Sequence, residues 1–267
     1  RHSGIGRGRA NVAGSTANNL RDFANYYRRS VTWEREGIES SVALSVESAY
    51  AFVINGKVDG NSRGDAGTQV MGGLVGAMLH PAPKRALVIG LGTGSSAGWL
   101  AEMPGMERVD VVEFEPAVLE VARFCAPVNA RVLENPKVKL HIGDAREVLL
   151  TTDEKYDIIF SEPSNPYRAG IASMFTKEFY EAATQRLNPG GIFCQWVQAY
   201  DIDGEALRTV FATLGSVFTS VDTWCTQSKD LLLIATHDPV TVDIALLRQR
   251  FSEGAWRQAL FNAWRVD

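Results

Sequence analysis

From Lys84 to about residue 236, apolar runs rich in β-branched residues alternate with stretches of helical periodicity, and few architectures accommodate that rhythm. The strand-like runs are Ala86–Gly90, Val109–Phe114, Val138–Ile142, Asp157–Ser161, Gly191–Trp196 and Leu231–Ala235. Between them, Ala97–Met103, Ala117–Cys125, Asp144–Leu150, Lys177–Leu187 and Glu205–Leu214 have helical spacing. Apolar strands alternating with helices predict βαβ units and a mostly parallel sheet covered on both faces. Right-handed crossovers then make this a doubly wound α/β, Rossmann-like domain.

The flanks have a different texture. Residues 31–62 read as a small antiparallel sheet, with Ser41–Val46 and Tyr50–Ile54 as its clearest strands and Asn55–Gly56 as a turn. A lead-in helix is expected over 64–79, stopped by Pro81 and Pro83. The α/β domain therefore spans 63–238, and a helical tail with Trp256 and Trp264 follows over 239–267. Residues 1–30 hold six arginines against the single acid Asp22 and are expected to be a solvated basic linker. At 45% hydrophobic with net charge −4, the 267-residue chain is neither disordered nor built to bind nucleic acid. Its three cysteines are an odd number without a CxxC pair, which points to a reducing, cytoplasmic setting and gives no metal site. No apolar run approaches the ~18 residues of a membrane helix.

Ligands of open α/β sheets bind beyond the carboxyl ends of the strands, so the strand ends are where site residues are expected. The first runs into Gly90-Leu91-Gly92-Thr93-Gly94-Ser95, a turn that lets a ligand approach backbone N–H groups. A dinucleotide site prefers Gly or Ala where Ser95 stands. The second ends at Glu113, about 20 residues on, where a carboxylate can accept the hydroxyls of a ribose. The third ends at Asp144-Ala145, suited to an adenine edge and equally to capping the next helix. Strand four ends Ser161-Glu162-Pro163-Ser164-Asn165-Pro166-Tyr167, and its prolines hold Glu162 and Asn165 over the crevice. A carboxylate there can take a proton from an amine, with Asn165 orienting it.

In this order, Ala86–Ser95, Val111–Pro116, His141–Ala145, Tyr156–Pro166 and Phe175–Tyr180 resemble the polyamine aminopropyltransferases, the spermidine synthase family, over roughly residues 35–236. The resemblance implies the methyltransferase-like form of the Rossmann fold. It implies decarboxylated S-adenosylmethionine, or S-adenosylmethionine itself, as co-substrate, with no prosthetic group. Within it, Gly90, Gly92, Thr93, Gly94, Glu113, Asp144 and Ala145 match the nucleoside site, and Gln69 a residue touching the aminopropyl end. Gln195 and Tyr167 fall on the amine-acceptor side, Glu162 at the catalytic aspartate and Asn165 at a second aspartate.

The departures are Thr93 on the donor side and several residues on the acceptor side. Thr93 replaces an aspartate that would hold the aminopropyl ammonium and repel the carboxylate of intact donor, so both donors are admitted. Thr68 stands for a tyrosine, Val70 for an acidic or polar residue, and the loop over the acceptor is short near Thr226–Asp230. The expected function is transfer of an aminopropyl or related alkyl group to a small amine, with Glu162 as general base. Two alternatives stay open: an S-adenosylmethionine-dependent methyltransferase, and a non-catalytic nucleoside-binding domain of a larger membrane protein. The Ser-Glu-Pro-Ser-Asn-Pro-Tyr form resembles a divergent branch joined to membrane segments, which suits attachment ahead of Arg1. A homo-oligomer is expected, with the amino-terminal sheet and the tail as available interfaces.

Overall fold

A computed structural model describes residues 16–47, 49–164, 170–200, 202–227 and 230–265. Helix α1 (Ala17–Ser30) leads into an antiparallel sheet of β1 (Val31–Glu36), β2 (Ser41–Val46), β3 (Tyr50–Ile54) and β4 (Lys57–Asn61), paired in chain order. Helix α2 (Ala66–Leu79) then enters the larger domain. Strands β5 (Arg85–Ile89), β6 (Arg108–Glu113), β7 (Val138–Ile142), β8 (Tyr156–Ser161) and β9 (Leu187–Gln198) run parallel to one another. An antiparallel hairpin of β10 (Ser220–Gln227) and β11 (Asp230–Thr236) extends the edge, giving the order β10-β11-β9-β8-β5-β6-β7.

Both faces are covered. One carries α2, α3 (Ser95–Glu102), α4 (Val118–Phe124) and the terminal helices α8 (Ile244–Ser252) and α9 (Gly254–Trp264), and shares a core with Val42, Leu44, Phe52 and Ile54 of the small sheet. The other carries α5 (Ala145–Thr151), α6 (Lys177–Arg186) and α7 (Gly204–Gly215). All 14 residues of α2 are buried, so its apolar, glycine-bearing sequence reflects close packing. A Cβ on Gly73 would stand 2.3 Å from the carbonyl oxygen of Ser96, so this glycine sets the approach of α3 to α2. The carboxyl end of α2 is capped by the buried Arg250, whose guanidinium donates to the carbonyls of Ala77, Met78, His80 and Pro81.

The structure departs from the sequence reading in three places. Ala17–Ser30 is helical where a linker is expected. Strand β9 begins at Leu187 instead of Gly191. Strand β10 was not anticipated at all: its half-exposed Ser-Val-Asp-Thr-Trp-Cys-Thr-Gln run lies at the sheet edge and lacks an apolar signature. Among the described residues, no helix is long and apolar enough to cross a membrane.

Candidate active site

Strand order reverses between β5 and β8, and the crevice opens beyond their carboxyl ends. Ile89 gives way there to Gly90, whose φ of +99° suits glycine. A Cβ on Gly90 would lie 2.9 Å from the carbonyl oxygen of Glu162, so the turn after β5 and the segment after β8 touch through it. The two are also tied by the Glu162 N–H, which donates to the Ile89 carbonyl at 2.9 Å. Gly94, at φ +82°, turns the chain into α3. Fully buried Asn129 donates through Nδ2 to the Thr93 carbonyl at 2.8 Å and pins this turn from below.

Glu113 ends β6 beside the turn. Its Oε2 accepts from the Leu91 N–H at 2.9 Å and its Oε1 from the Glu115 N–H at 2.8 Å. Each oxygen keeps a further lone pair, enough for two hydroxyls from one ligand. Burial raises the Glu113 carboxyl above the ordinary range, against the pull of those backbone donors. Asp144 follows β7 and caps α5 by accepting from the Arg146 N–H at 2.8 Å. The Arg146 guanidinium also engages both carboxylate oxygens and holds the group below its usual range. The capping function is therefore realised, and Ala145 is buried at the start of the helix.

Glu162 lies where α2, α3 and β8 meet. The Ser96 hydroxyl is 2.7 Å from its Oε2 and 2.8 Å from the Gln69 carbonyl oxygen. Burial pushes the Glu162 carboxyl up to about 8, with the charge of Asp230 adding to the shift and the Ser96 hydroxyl opposing it. A protonated Glu162 can donate to Ser96 while Ser96 donates to Gln69, so both protonation states have partners. The Gln69 side chain turns toward the donor side, its Oε1 accepting from the Thr93 hydroxyl at 2.5 Å. It lies against Gly60, where a Cβ would be 2.8 Å from Nε2.

Gln195 is not brought together with Glu162. It pairs in register with Ser161, and the pleat places it on the α6 face with Phe193 and Val197, opposite Trp196 and Cys194. It is fully buried, and among the described residues its Oε1 has no hydrogen-bond partner. Asn165 and Tyr167 lie outside the described residues.

Four side chains that the sequence did not assign a role, Asp230, Lys57, Asp59 and Gln198, lie on this side. Asp230 is buried and accepts from the Thr68 hydroxyl at 2.9 Å and from Trp196 Nε1 at 3.2 Å. Lys57 Nζ is 3.2 Å from Asp59 Oδ1 and 3.1 Å from Gln198 Oε1. The alternation Lys57-Val58-Asp59 held a signal, because it makes one strand face charged. The structure buries that face and exposes Val58, at 43%.

The Spermine/spermidine synthase domain matches residues 67–233. A polyamine aminopropyltransferase of Nitrosomonas europaea is 33% identical over 143 residues, covering 53% of this chain and 44% of the relative. Putrescine N-methyltransferase 2 of Nicotiana attenuata is 30% identical over 168 residues, covering 60% of this chain and 45% of the relative. A spermidine synthase solved in complex with the transition-state analogue AdoDATO shares the fold at TM-score 0.72 and 19% identity, over 81% of this chain and 76% of that one. The chain spans about half the length of the curated relatives it matches. With the Gly-rich turn, Glu113, Asp144 and Glu162 ranged along one line of strand ends, and with the domain match covering more than half its length, this chain belongs to the spermine/spermidine synthase family.

Proposed function

We propose that the chain transfers an aminopropyl group from decarboxylated S-adenosylmethionine to an amine, with Glu162 as general base. The observation that carries this reading is Glu162 itself, a carboxyl raised to about 8 beyond the end of β8 and hydrogen-bonded to Ser96 at the start of α3. A base whose pKa lies near the working pH is ionised often enough to act and basic enough to accept.

The nucleoside lies along the ends of β5, β6 and β7, with Glu113 on the ribose hydroxyls and Ala145 beside the adenine. Asp144 is engaged by Arg146, so the adenine amino group shares that carboxylate with the guanidinium. The sulfonium is already a good leaving group, so the protein supplies position and a base. The neutral nitrogen attacks the carbon bonded to sulfur, and the C–N bond forms as the C–S bond breaks. Sulfur keeps the electron pair and leaves as a neutral thioether. The proton lost from nitrogen passes to Glu162, and Ser96 holds the carboxyl through the change. Gln69 and Thr93 together line the aminopropyl end.

Methyl transfer is the second reading, favoured by Thr93 and by the likeness to a putrescine N-methyltransferase. The two differ in which carbon faces the acceptor and are separated by their by-products. Mass spectrometry of the protein with each donor and a pool of amines is expected to give methylthioadenosine and a heavier amine from the decarboxylated donor. S-adenosylhomocysteine from intact donor replaces this reading with methyl transfer, and nucleoside binding without product replaces it with a binding domain.

A further inference from the structure

We propose that Asp230 anchors the acceptor through an ammonium that does not react, so that this residue selects amines with a second positive charge. This rests on the reading of the crevice beside Glu162 as an amine-acceptor site.

The topology fixes where Asp230 stands relative to Glu162. Antiparallel β11 starts at the end of the sheet where parallel β8 and β9 finish, so Asp230, its first residue, lies at the crevice end. In the order β11-β9-β8 a single strand separates it from Glu162, an interval of about 10 Å between backbones. Both carboxyls are on the α2 face. Asp230 Oδ2 accepts from the Thr68 hydroxyl of α2 and Oδ1 from Trp196 Nε1, while Glu162 is reached by Ser96 of α3. Thr68 is followed by Gln69, whose carbonyl accepts from Ser96, so the first turn of α2 borders both groups. Trp196, on the strand between them, is buried on the same face. The interval thus has α2 as its wall and an indole as its floor, surroundings that suit an alkyl chain ending in a cation.

Asp230 is 7% exposed, and among the described residues its partners are the neutral donors Thr68 and Trp196. Burying a carboxylate is costly unless an opposite charge joins it. The neighbouring charges are disposed otherwise. Lys57 is paired with Asp59, which also accepts from the Ser164 hydroxyl. Asp65 accepts from the Asn61 N–H at 2.8 Å, and the charge of Lys57 opposes its upward shift. Asp230 is raised by burial, and what opposes that shift is its two hydrogen bonds. Lys57 therefore stands against Asp59, Asp65 and Asp230 before Glu162 is counted, and Asp230 is the carboxyl left for a ligand to neutralise.

Calorimetry on the methylthioadenosine-loaded protein compares butylamine with 1,3-diaminopropane, 1,4-diaminobutane and 1,5-diaminopentane, and kcat/KM is measured for the same four. The native protein is expected to favour the best diamine over butylamine by about tenfold or more, the scale of a hydrogen bond to a charged group. Asp230→Asn keeps the local contacts, because Thr68 can accept from the new amide while donating to Gln227. It is expected to bring the ratio near one. Asp230→Glu carries the carboxyl one methylene further into the interval. It is expected to retain the preference and move the best diamine to a shorter chain, which a purely structural role for Asp230 would not do. Should Asp230→Asn fail to fold, the chain-length shift in Asp230→Glu decides. Equal or better binding of butylamine by the native protein overturns the proposal, as does an unchanged ratio in Asp230→Asn, an unmoved optimum in Asp230→Glu, or binding of no amine. Loss of the preference in Asp65→Asn but not in Asp230→Asn overturns it too, by giving the anchor to Asp65. Product from butylamine as readily as from the diamines keeps the transfer reading and removes Asp230 as the anchor. The calorimetric ratio without product from either donor removes the transfer reading and keeps Asp230.

Discussion

The two halves of the crevice are built differently. The proposed donor half draws on three short stretches, Gly90–Ser95, Glu113–Glu115 and Asp144–Arg146, each at or just beyond the end of a parallel strand. Its polar groups are satisfied locally, as when Glu113 takes the N–H groups of Leu91 and Glu115. The proposed acceptor half gathers Lys57, Thr68, Ser96, Glu162, Gln198 and Asp230 from six separate elements or segments. Its carboxyls are displaced upward by burial and by one another. A site made of strand ends inherits its geometry from the sheet. A site made of side chains from distant segments can change its charge arrangement without changing the fold.

The largest expected effect breaks the acceptor half alone. Glu162→Gln is expected to lower turnover by ~10²–10⁴ while donor binding stays within a few-fold. Turnover retained within a few-fold removes Glu162 as the base. Next, Glu113→Ala tests whether the donor half is independent, and is expected to weaken nucleoside binding by ~10–100-fold in calorimetry, the scale of lost hydrogen bonds to a charged group. An equal loss of amine affinity would show that the halves are not separate.

Ser96→Ala sharpens the comparison through pH. The hydroxyl opposes the upward shift of Glu162, so its removal moves the carboxyl higher. The rising limb of kcat/KM, centred near pH 8 in the native protein, should move to more alkaline pH, with a several-fold loss at pH 7. A limb that stays in place separates Ser96 from the base.

The smallest effect is on stability. Glu162 is raised from 4.5 to about 8, so between those values the folded chain retains a proton the unfolded chain has lost. Stability from this group is complete below about pH 4.5 and declines as pH rises toward 8. Thermal melts should show Tm falling across that window, and Glu162→Gln should flatten the fall by a few degrees. An unchanged slope would mean that Glu162 is ionised throughout.

Much of this was legible in the sequence for a local reason. β5 to β8 are apolar runs and α3 to α7 carry helical apolar spacing, signals that survive without tertiary information, and the turn after β5 is written in glycine. Asp144 was readable both as a ligand and as a cap, and the cap interaction is realised because Arg146 is only two residues away. Strand β10 was illegible because an edge strand buries too little to need apolar residues. Gln195 was expected beside the acceptor, but the pleat of β9 turns it to the other face, where alternation from Trp196 alone could have placed it.

The amino-acid sequence by itself determined the doubly wound sheet, the order of its strand-end motifs and the line of strand-end residues from Gly90 to Ala145. Each depends on periodicity or on contacts within a few positions. Only the tertiary structure decided that Ser96 would hold Glu162, that Asp230 would raise it, and that Lys57 would be buried with Asp59 and Gln198 beside Ser164. Those contacts link residues up to 141 positions apart, and their energies depend on burial. No local pattern encodes how far a charge will be removed from water, and in this protein that burial is the largest cause raising Glu162, Asp65 and Asp230.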